Sequence, residues 1–273
     1  MNGNNNHKAR KRFGQNFLSD QSVIQQIIHS IYPKEDQSII EIGPGLGAIT
    51  KPLLEISKSL TVIELDRDII PKLRANCESV GNLNIIQADV LTVQLNQLEQ
   101  ANSDSNTSHR IIGNLPYNIS TPILFHLMSQ LDSITDMHFM LQKEVVERMA
   151  APPGSKTYGR LSVMLQYYCD IEYLFSIPPE AFTPAPKVTS ALVRLKPYDT
   201  LPTSVIDTHD FAQIVTQAFS QRRKTLRNSL KKMLNSEQIE QCDIDPVIRP
   251  EQLSISSFVL LANYYSELQK AQI

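Results

Sequence analysis

Five short apolar runs set the plan of this chain: SIIEIG (38–43), LTVIELD (60–66), LNIIQAD (83–89), RIIGNL (110–115) and DMHFMLQ (136–142). Each is separated from the next by a segment long enough for a helix. Parallel strands need such crossovers, and strands buried on both faces read as near-continuous apolar runs. The rhythm therefore predicts an α/β chain with a mostly parallel sheet covered by helices on both faces.

Two later runs, EYLFSIP (172–178) and VTSALVRLKP (188–197), are joined by the proline-rich PPEAFTPAPK, too short for a crossover helix. They are expected to pair as an antiparallel hairpin at the sheet edge. Near the start, Ser19 or Asp20 can cap a helix whose Val23, Ile24, Ile27, Ile28 and Ile31 share one face. QANSDSNTSH (100–109) reads as a surface loop. Beyond the linker PYDTLPTSVIDT (197–208), helical patterns alone remain. At 273 residues the chain exceeds one small core, so two domains are expected: 1–196, with a flexible basic leader at 1–12, and a helical domain at 197–273.

Cys77, Cys169 and Cys242 lie far apart, without CxxC spacing or a companion His, so neither a disulfide framework nor a metal site is indicated. The expected compartment is the reducing cytoplasm. No run approaches the roughly 20 apolar residues that cross a bilayer, and the opening MNGNNNHKARKR has no apolar signal core. The net charge of −2 hides two basic clusters. HKARKR (7–12), with Arg10, Lys11 and Arg12, holds four basic residues and no acid; QRRKTLRNSLKK (221–232), with Arg222, Arg223, Lys224 and Arg227, holds six and no acid. One such run is commonly a solvated face; two in a near-neutral protein point to a polyanion.

Ligands of an open parallel sheet bind beyond the carboxyl ends of its strands, near the switch in strand order. There the first run ends in Glu41-Ile42-Gly43-Pro44-Gly45-Leu46-Gly47, a turn that lets backbone approach a ligand. The second ends in Glu64, placed to accept both hydroxyls of a ribose, the third in Asp89 and the fourth in Asn114. A tight turn and helix caps would explain these residues one at a time. Together they fit a nucleoside, and a methyl donor built from adenosine and methionine suits them better than a dinucleotide, which leaves Asn114-Leu115-Pro116-Tyr117 without a purpose.

That tetrapeptide suits an exocyclic adenine nitrogen, whose lone pair is delocalised into the ring. The Asn114 side-chain oxygen and the Leu115 carbonyl can hold the two amine hydrogens and favour a pyramidal nitrogen. Pro116 stiffens the turn, and Tyr117 offers a face on which the base stacks, worth roughly 1–3 kcal/mol. The bland alternative is a loop start with its aromatic packed into the core.

FGQNFL (13–18), EIGPGLG (41–47), VIELD (62–66), QADVL (87–91), GNLPYN (113–118), LQKEVVERM (141–149), YGRLSV (158–163), AFTPAPKVTSALV (181–193) and QRRKTLRNSL (221–230) together resemble the ribosomal RNA adenine N6-dimethyltransferases, the small-subunit branch above all. The resemblance implies a Rossmann-like class I methyltransferase sheet followed by a small helical RNA-binding domain. It implies S-adenosylmethionine as cofactor, with Asn16 and Leu18 closing over it, Gly43 beside its methionyl part, Glu64 on the ribose, Asp89 on the adenine, and Gly45 and Asn114 also among its binding residues. It implies that Phe182 stacks on the other face of the target base and that the basic residues meet rRNA backbone. The implied reaction dimethylates N6 of two adjacent adenosines in the 3′-terminal hairpin loop of 16S rRNA, late in small-subunit biogenesis, and the implied state is a monomer.

Three alternatives stay open at this point. One is the resistance-type enzyme that methylates large-subunit rRNA; YGRLSV and QRRKTLRNSL fit the small-subunit pattern better. Another is a non-catalytic nucleic-acid-binding relative, against which the intact Glu64, Asp89 and Asn114 speak. The third is a nicotinamide-dependent oxidoreductase, which explains the glycines and not residues 114–117.

Overall fold

A computed structural model describes residues 16–35, 37–98, 108–221 and 223–271. Arg10, Lys11, Arg12 and Arg222, and nearly all of the loop expected at 100–109, lie outside the described residues. The chain divides into two compact units, one within Met1–Val146 and Glu172–Pro197, the other within Glu147–Ile171 and Tyr198–Ile273.

The first unit opens with β1 (Phe17–Leu18) and α1 (Gln21–Ile31), followed by β2 (Ile39–Ile42), α2 (Thr50–Ser57), β3 (Ser59–Glu64), α3 (Ile70–Cys77), β4 (Asn82–Gln87), β5 (His109–Asn114), α4 (Ser120–Met128) and β6 (Ile134–Gln142). α5 (Lys143–Met149) and α6 (Arg160–Tyr168) lead to β7 (Cys169–Ile177), β8 (Phe182–Thr183) and β9 (Ser190–Pro197). Seven strands form one sheet in the order β4-β3-β2-β5-β6-β9-β7. The first five of these pair in parallel, and β9 runs antiparallel to β6. β7 and β9 are neighbours at the edge, as the short proline-rich connection requires.

Chain order explains where a ligand can sit. From β2 the chain steps outward to β3 and β4, then returns to the other side of β2 as β5, so the switch point falls between β2 and β5. Their carboxyl ends carry Gly43 and Asn114. Gly113 is required at this junction, because a Cβ there would lie 2.8 Å from the Ile42 carbonyl oxygen.

α1 follows from its sequence. Asp20 caps it, one carboxylate oxygen accepting from the Ser22 and Val23 N–H groups at 2.8 and 3.2 Å. Ile24, Ile27 and Ile31 are buried on one face, each burial contributing roughly 1.5–3 kcal/mol. The helix ends at Tyr32 in the left-handed region, φ 49°. Its last carbonyl oxygens are met by a buried guanidinium. Arg110 donates to Ile31 O at 2.8 Å and forms a bidentate pair with Asp136 at 2.8 and 2.9 Å, which ties α1 to β5 and β6.

A separate two-stranded ribbon pairs β1 with β8, Phe17 opposite Thr183 and Leu18 opposite Phe182. The adjacent Ser19 and Asp20 N–H groups both donate to Ala181 O.

The second unit holds α6, α7 (Thr208–Ala218), α8 (Leu226–Ser229), α9 (Ser236–Glu240) and α10 (Ile255–Ala271). Its aromatic core explains why residues 147–171 group with the C-terminal helices and not with residues 1–146. Tyr167 of α6 lies 4.6 Å, ring to ring, from Phe211 of α7, and Phe219 lies 5.6 Å from Phe258 of α10. Ser266 donates to Asp210 at 2.6 Å, joining α10 to α7. Around α8, Leu226, Ser229 and Leu230 are buried while Arg223, Lys224, Arg227, Lys231 and Lys232 are exposed. Among the described residues no helix is long and apolar enough to cross a membrane.

Candidate active site

A cavity of about 1170 Å³ opens at the switch point, entirely within the first unit. Asn16, Leu18, Gly43, Gly45, Glu64, Asp89, Asn114, Leu115 and Tyr117 all line it. Residues from five separate stretches of the sequence are thereby brought to one place.

The glycine turn forms its floor. Gly43, Gly45 and Gly47 have φ of 65°, 56° and 93°, backbone that side chains rarely adopt. At Gly45 space also forbids a side chain, since a Cβ would stand 3.0 Å from the Phe17 ring. The residues 16–18 thus cross directly over the turn.

Two acids lie behind it. Glu64 is buried, and Oε1 accepts from the Asp66 N–H at 2.7 Å. Burial raises its pKa, against the backbone N–H groups of Asp66 and Gly45. Glu41 is 3 % exposed; among the described residues its Oε2 meets no donor at good hydrogen-bond geometry, although the Thr50 hydroxyl is close enough to act on the carboxylate. Burial pushes its pKa up to about 7, against the Thr50 hydroxyl, with the nearby Glu64 charge adding to the rise. Glu41 lines the cavity, a place that sequence reasoning missed; its signal is a lone carboxylate inside the apolar run IIEI. Asp89 is exposed at the rim, and Oδ1 caps the turn at Val90–Thr92 by accepting from Leu91 N–H at 3.0 Å. It is both a cap and a cavity residue.

At the end of β5, the Asn114 side-chain nitrogen donates to the Asn16 carbonyl oxygen at 3.0 Å. With the nitrogen so engaged, the amide oxygen is the side chain's remaining hydrogen-bonding group at a residue that lines the cavity. Leu115 N–H donates to Met140 O at 3.3 Å, and Ile119 N–H closes the turn on Pro116 O at 3.1 Å. Tyr117 is half-buried, its hydroxyl 2.5 Å from Ser190 Oγ.

Phe182 does not face the cavity. It is 3 % exposed and belongs to the core with Leu18, Ile24 and Ile177. The reason is strand alternation: in β8 Phe182 points inward, whereas Thr183 and Pro184 line the cavity. The face expected of Phe182 is thus buried in the core. Leu65, half exposed, and Phe17 are apolar lining residues that sequence reasoning missed. Among the described residues no group of three or more His, Cys, Asp and Glu is placed to share a metal.

A sheet wound both ways from a switch point, with a glycine turn, buried acids and an Asn-Leu-Pro-Tyr rim around one cavity, defines a Rossmann-like methyltransferase. Structures of that kind are similar over nearly the whole chain. A dimethyladenosine transferase from Plasmodium falciparum matches with a TM-score of 0.77 at 24% identity, covering 94% of this chain and 98% of that one. The 23S rRNA methyltransferase ErmE matches with a TM-score of 0.72 at 21% identity, covering 92% and 100%. In sequence, the pattern of the ribosomal RNA adenine dimethylases matches residues 6–267. The chain is 54% identical over 259 residues to the ribosomal RNA small subunit methyltransferase A of Hydrogenovibrio crunogenus, covering 95% of this chain and 97% of that protein. It is 52% identical over 263 residues to the protein of the same name from Hahella chejuensis, covering 96% and 95%. The chain belongs to the ribosomal RNA adenine dimethylase family of enzymes.

Proposed function

We propose that this enzyme dimethylates N6 of two adjacent adenosines in the 3′-terminal hairpin loop of 16S rRNA, with S-adenosylmethionine as the donor. The observation that carries the reading is the Asn114 amide, turned by Asn16 so that an acceptor oxygen remains at the cavity rim beside Tyr117. The extended match to proteins named for the small subunit supports the choice of rRNA.

The residues present fit the donor. A glycine turn without Cβ atoms would accept its methionyl part, Glu64 its ribose hydroxyls and Asp89 its adenine. When bound, S-adenosylmethionine supplies an electrophilic methyl group on a sulfonium. The chain's own work is placement. Asn114 Oδ1 and the Leu115 carbonyl oxygen accept the two N6 hydrogens of the target adenine, which frees the nitrogen lone pair from the ring. As the N–C bond forms and the bond from the methyl carbon to the donor sulfur breaks, its electron pair staying on sulfur as a neutral thioether, positive charge would grow on N6, and the two acceptors would stabilise it. The methylated ammonium then releases its proton to water, so the site needs no strong base. Tyr117 holds the ring by stacking, and orientation lowers the barrier. Loop adenines are suited to such a slot, because unpaired bases leave the stack at low cost. The second unit, residues 197–273 above all, presents Arg223, Lys224 and Arg227 to RNA phosphates, and the enzyme works as a cytoplasmic monomer.

The test offers labelled S-adenosylmethionine with unmethylated small subunits, large subunits, or neither. The reading predicts label in the small-subunit rRNA alone. Label in large-subunit rRNA overturns the choice of substrate; thermal protection by NAD and not by S-adenosylmethionine overturns the choice of donor.

A further inference from the structure

We infer that Ser190 is a positioning residue for methyl transfer, acting through the Tyr117 ring. The inference deepens the proposed stacking role of Tyr117 and rests on it.

Ser190 lies outside the cavity lining and is fully buried, with 0 % exposure. Its Oγ stands 2.5 Å from the Tyr117 hydroxyl, 73 residues away in sequence. The hydroxyl is held on stiff ground. Ser190 is the first residue of β9, paired with Gln142 at the end of β6, and just beyond it Lys143 N–H donates to Thr189 O at 3.0 Å. The tyrosine itself issues from the turn after β5, whose backbone is closed by Ile119 N–H on Pro116 O and by Ser120 Oγ donating to Tyr117 O at 3.3 Å.

A tyrosine side chain has two torsions. With its backbone fixed by a turn and its phenol oxygen fixed on a neighbouring strand, the first torsion is held and the long axis of the ring is set before any base arrives; the second turns the ring about the axis on which that oxygen lies, and is restrained by the preference of a phenol hydroxyl to hydrogen-bond in the plane of its ring. A stacking surface restrained in advance costs less ordering when the substrate binds, and it narrows the angles at which the base meets the acceptors of Asn114 and Leu115. Removing the serine hydroxyl would leave a half-buried phenol without this partner, and the ring would turn to find another. Base stacking would survive in part, but the in-line geometry would be lost more often, which affects turnover more than binding.

The test is a double-mutant cycle between Ser190→Ala and Tyr117→Phe, with Tyr117→Ala and Ser190→Thr alongside, read in steady-state methyl transfer to unmethylated small subunits. The inference predicts that Ser190→Ala lowers kcat about tenfold with little change in KM, that Ser190→Thr keeps most of the turnover, and that Ser190→Ala costs nothing further in the Tyr117→Phe background. Equal losses in both backgrounds would show a merely structural serine and overturn it. If Tyr117→Ala loses turnover while Ser190→Ala does not, the tether alone falls. If Tyr117→Ala is fully active, the stacking role itself is wrong and the inference falls with it.

Discussion

The side chain of Asn114 and the backbone of Asn16 meet at 3.0 Å, nitrogen to carbonyl oxygen, so a residue 98 positions upstream decides which way the rim amide faces. On the proposed role, Asn114→Ala removes the acceptor for the target amine. The expected result is a fall in kcat of about 10²–10³, the scale seen when one such electrostatic partner is deleted. Thermal stabilisation by S-adenosylmethionine should survive in large part, and a turnover assay beside a melting curve checks both.

Glu64 lies at the end of β3, with Oε1 on the Asp66 N–H at 2.7 Å. If it holds the ribose of the donor, Glu64→Ala weakens donor binding by about ten- to a hundredfold, the worth of hydrogen bonds to a charged group. Isothermal titration with S-adenosylmethionine measures this, and an unaltered Kd counts against the assignment.

Glu41 makes stability depend on pH in a predictable direction. Its pKa of about 7 in the fold lies above the ordinary 4.5, so the folded chain binds this proton more tightly than the unfolded one. The contribution is complete below about pH 4.5 and is lost as the pH rises through about 7. Glu41→Gln removes the titration, so the Tm of the variant relative to the parent should climb between about pH 5 and pH 8. A constant difference across that window refutes the assignment.

Arg110 and Asp136 form a buried bidentate pair whose guanidinium also serves Ile31 O at the end of α1. Arg110→Leu strands the Asp136 carboxylate and the helix terminus together. Urea titration should show a loss of roughly 3–5 kcal/mol.

Arg223, Lys224 and Arg227 are exposed around α8. Replacing all three with Gln should weaken rRNA binding and reduce the slope of log K against log salt by about one for each phosphate that the variant no longer neutralises. An unchanged slope would make them solvated surface.

Much of this was written in the sequence, for physical reasons that can be named. Parallel strands buried on both faces leave continuous apolar runs, so β2 through β6 were visible, and Asp20 announced α1 because a cap needs a short acceptor just before an apolar stripe. Glu64 and Asn114, which end β3 and β5, and Asp89, two residues beyond β4, stood out as interruptions of those runs. Other features depend on contacts between distant residues. β1 and β8 are two residues each and have no period to detect, yet their pairing lays Phe17 over Gly45 and turns Phe182 into the core. Glu41 hides inside a strand, and Ser190 is an ordinary strand-starting serine until the Tyr117 hydroxyl is seen beside it. The grouping of residues 147–171 with the C-terminal helices comes from Tyr167 meeting Phe211, which no local pattern reveals.

The central claim is that the amide at the rim aims adenine N6 of small-subunit rRNA at a methyl donor. Nucleoside mass spectrometry of unmethylated small subunits, after incubation with S-adenosylmethionine and either the parent enzyme or Asn114→Ala, tests it most directly. The account predicts N6,N6-dimethyladenosine at two adjacent loop adenosines with the parent and almost none with the variant. Equal dimethylation by both, or modification at an atom other than N6, would contradict it.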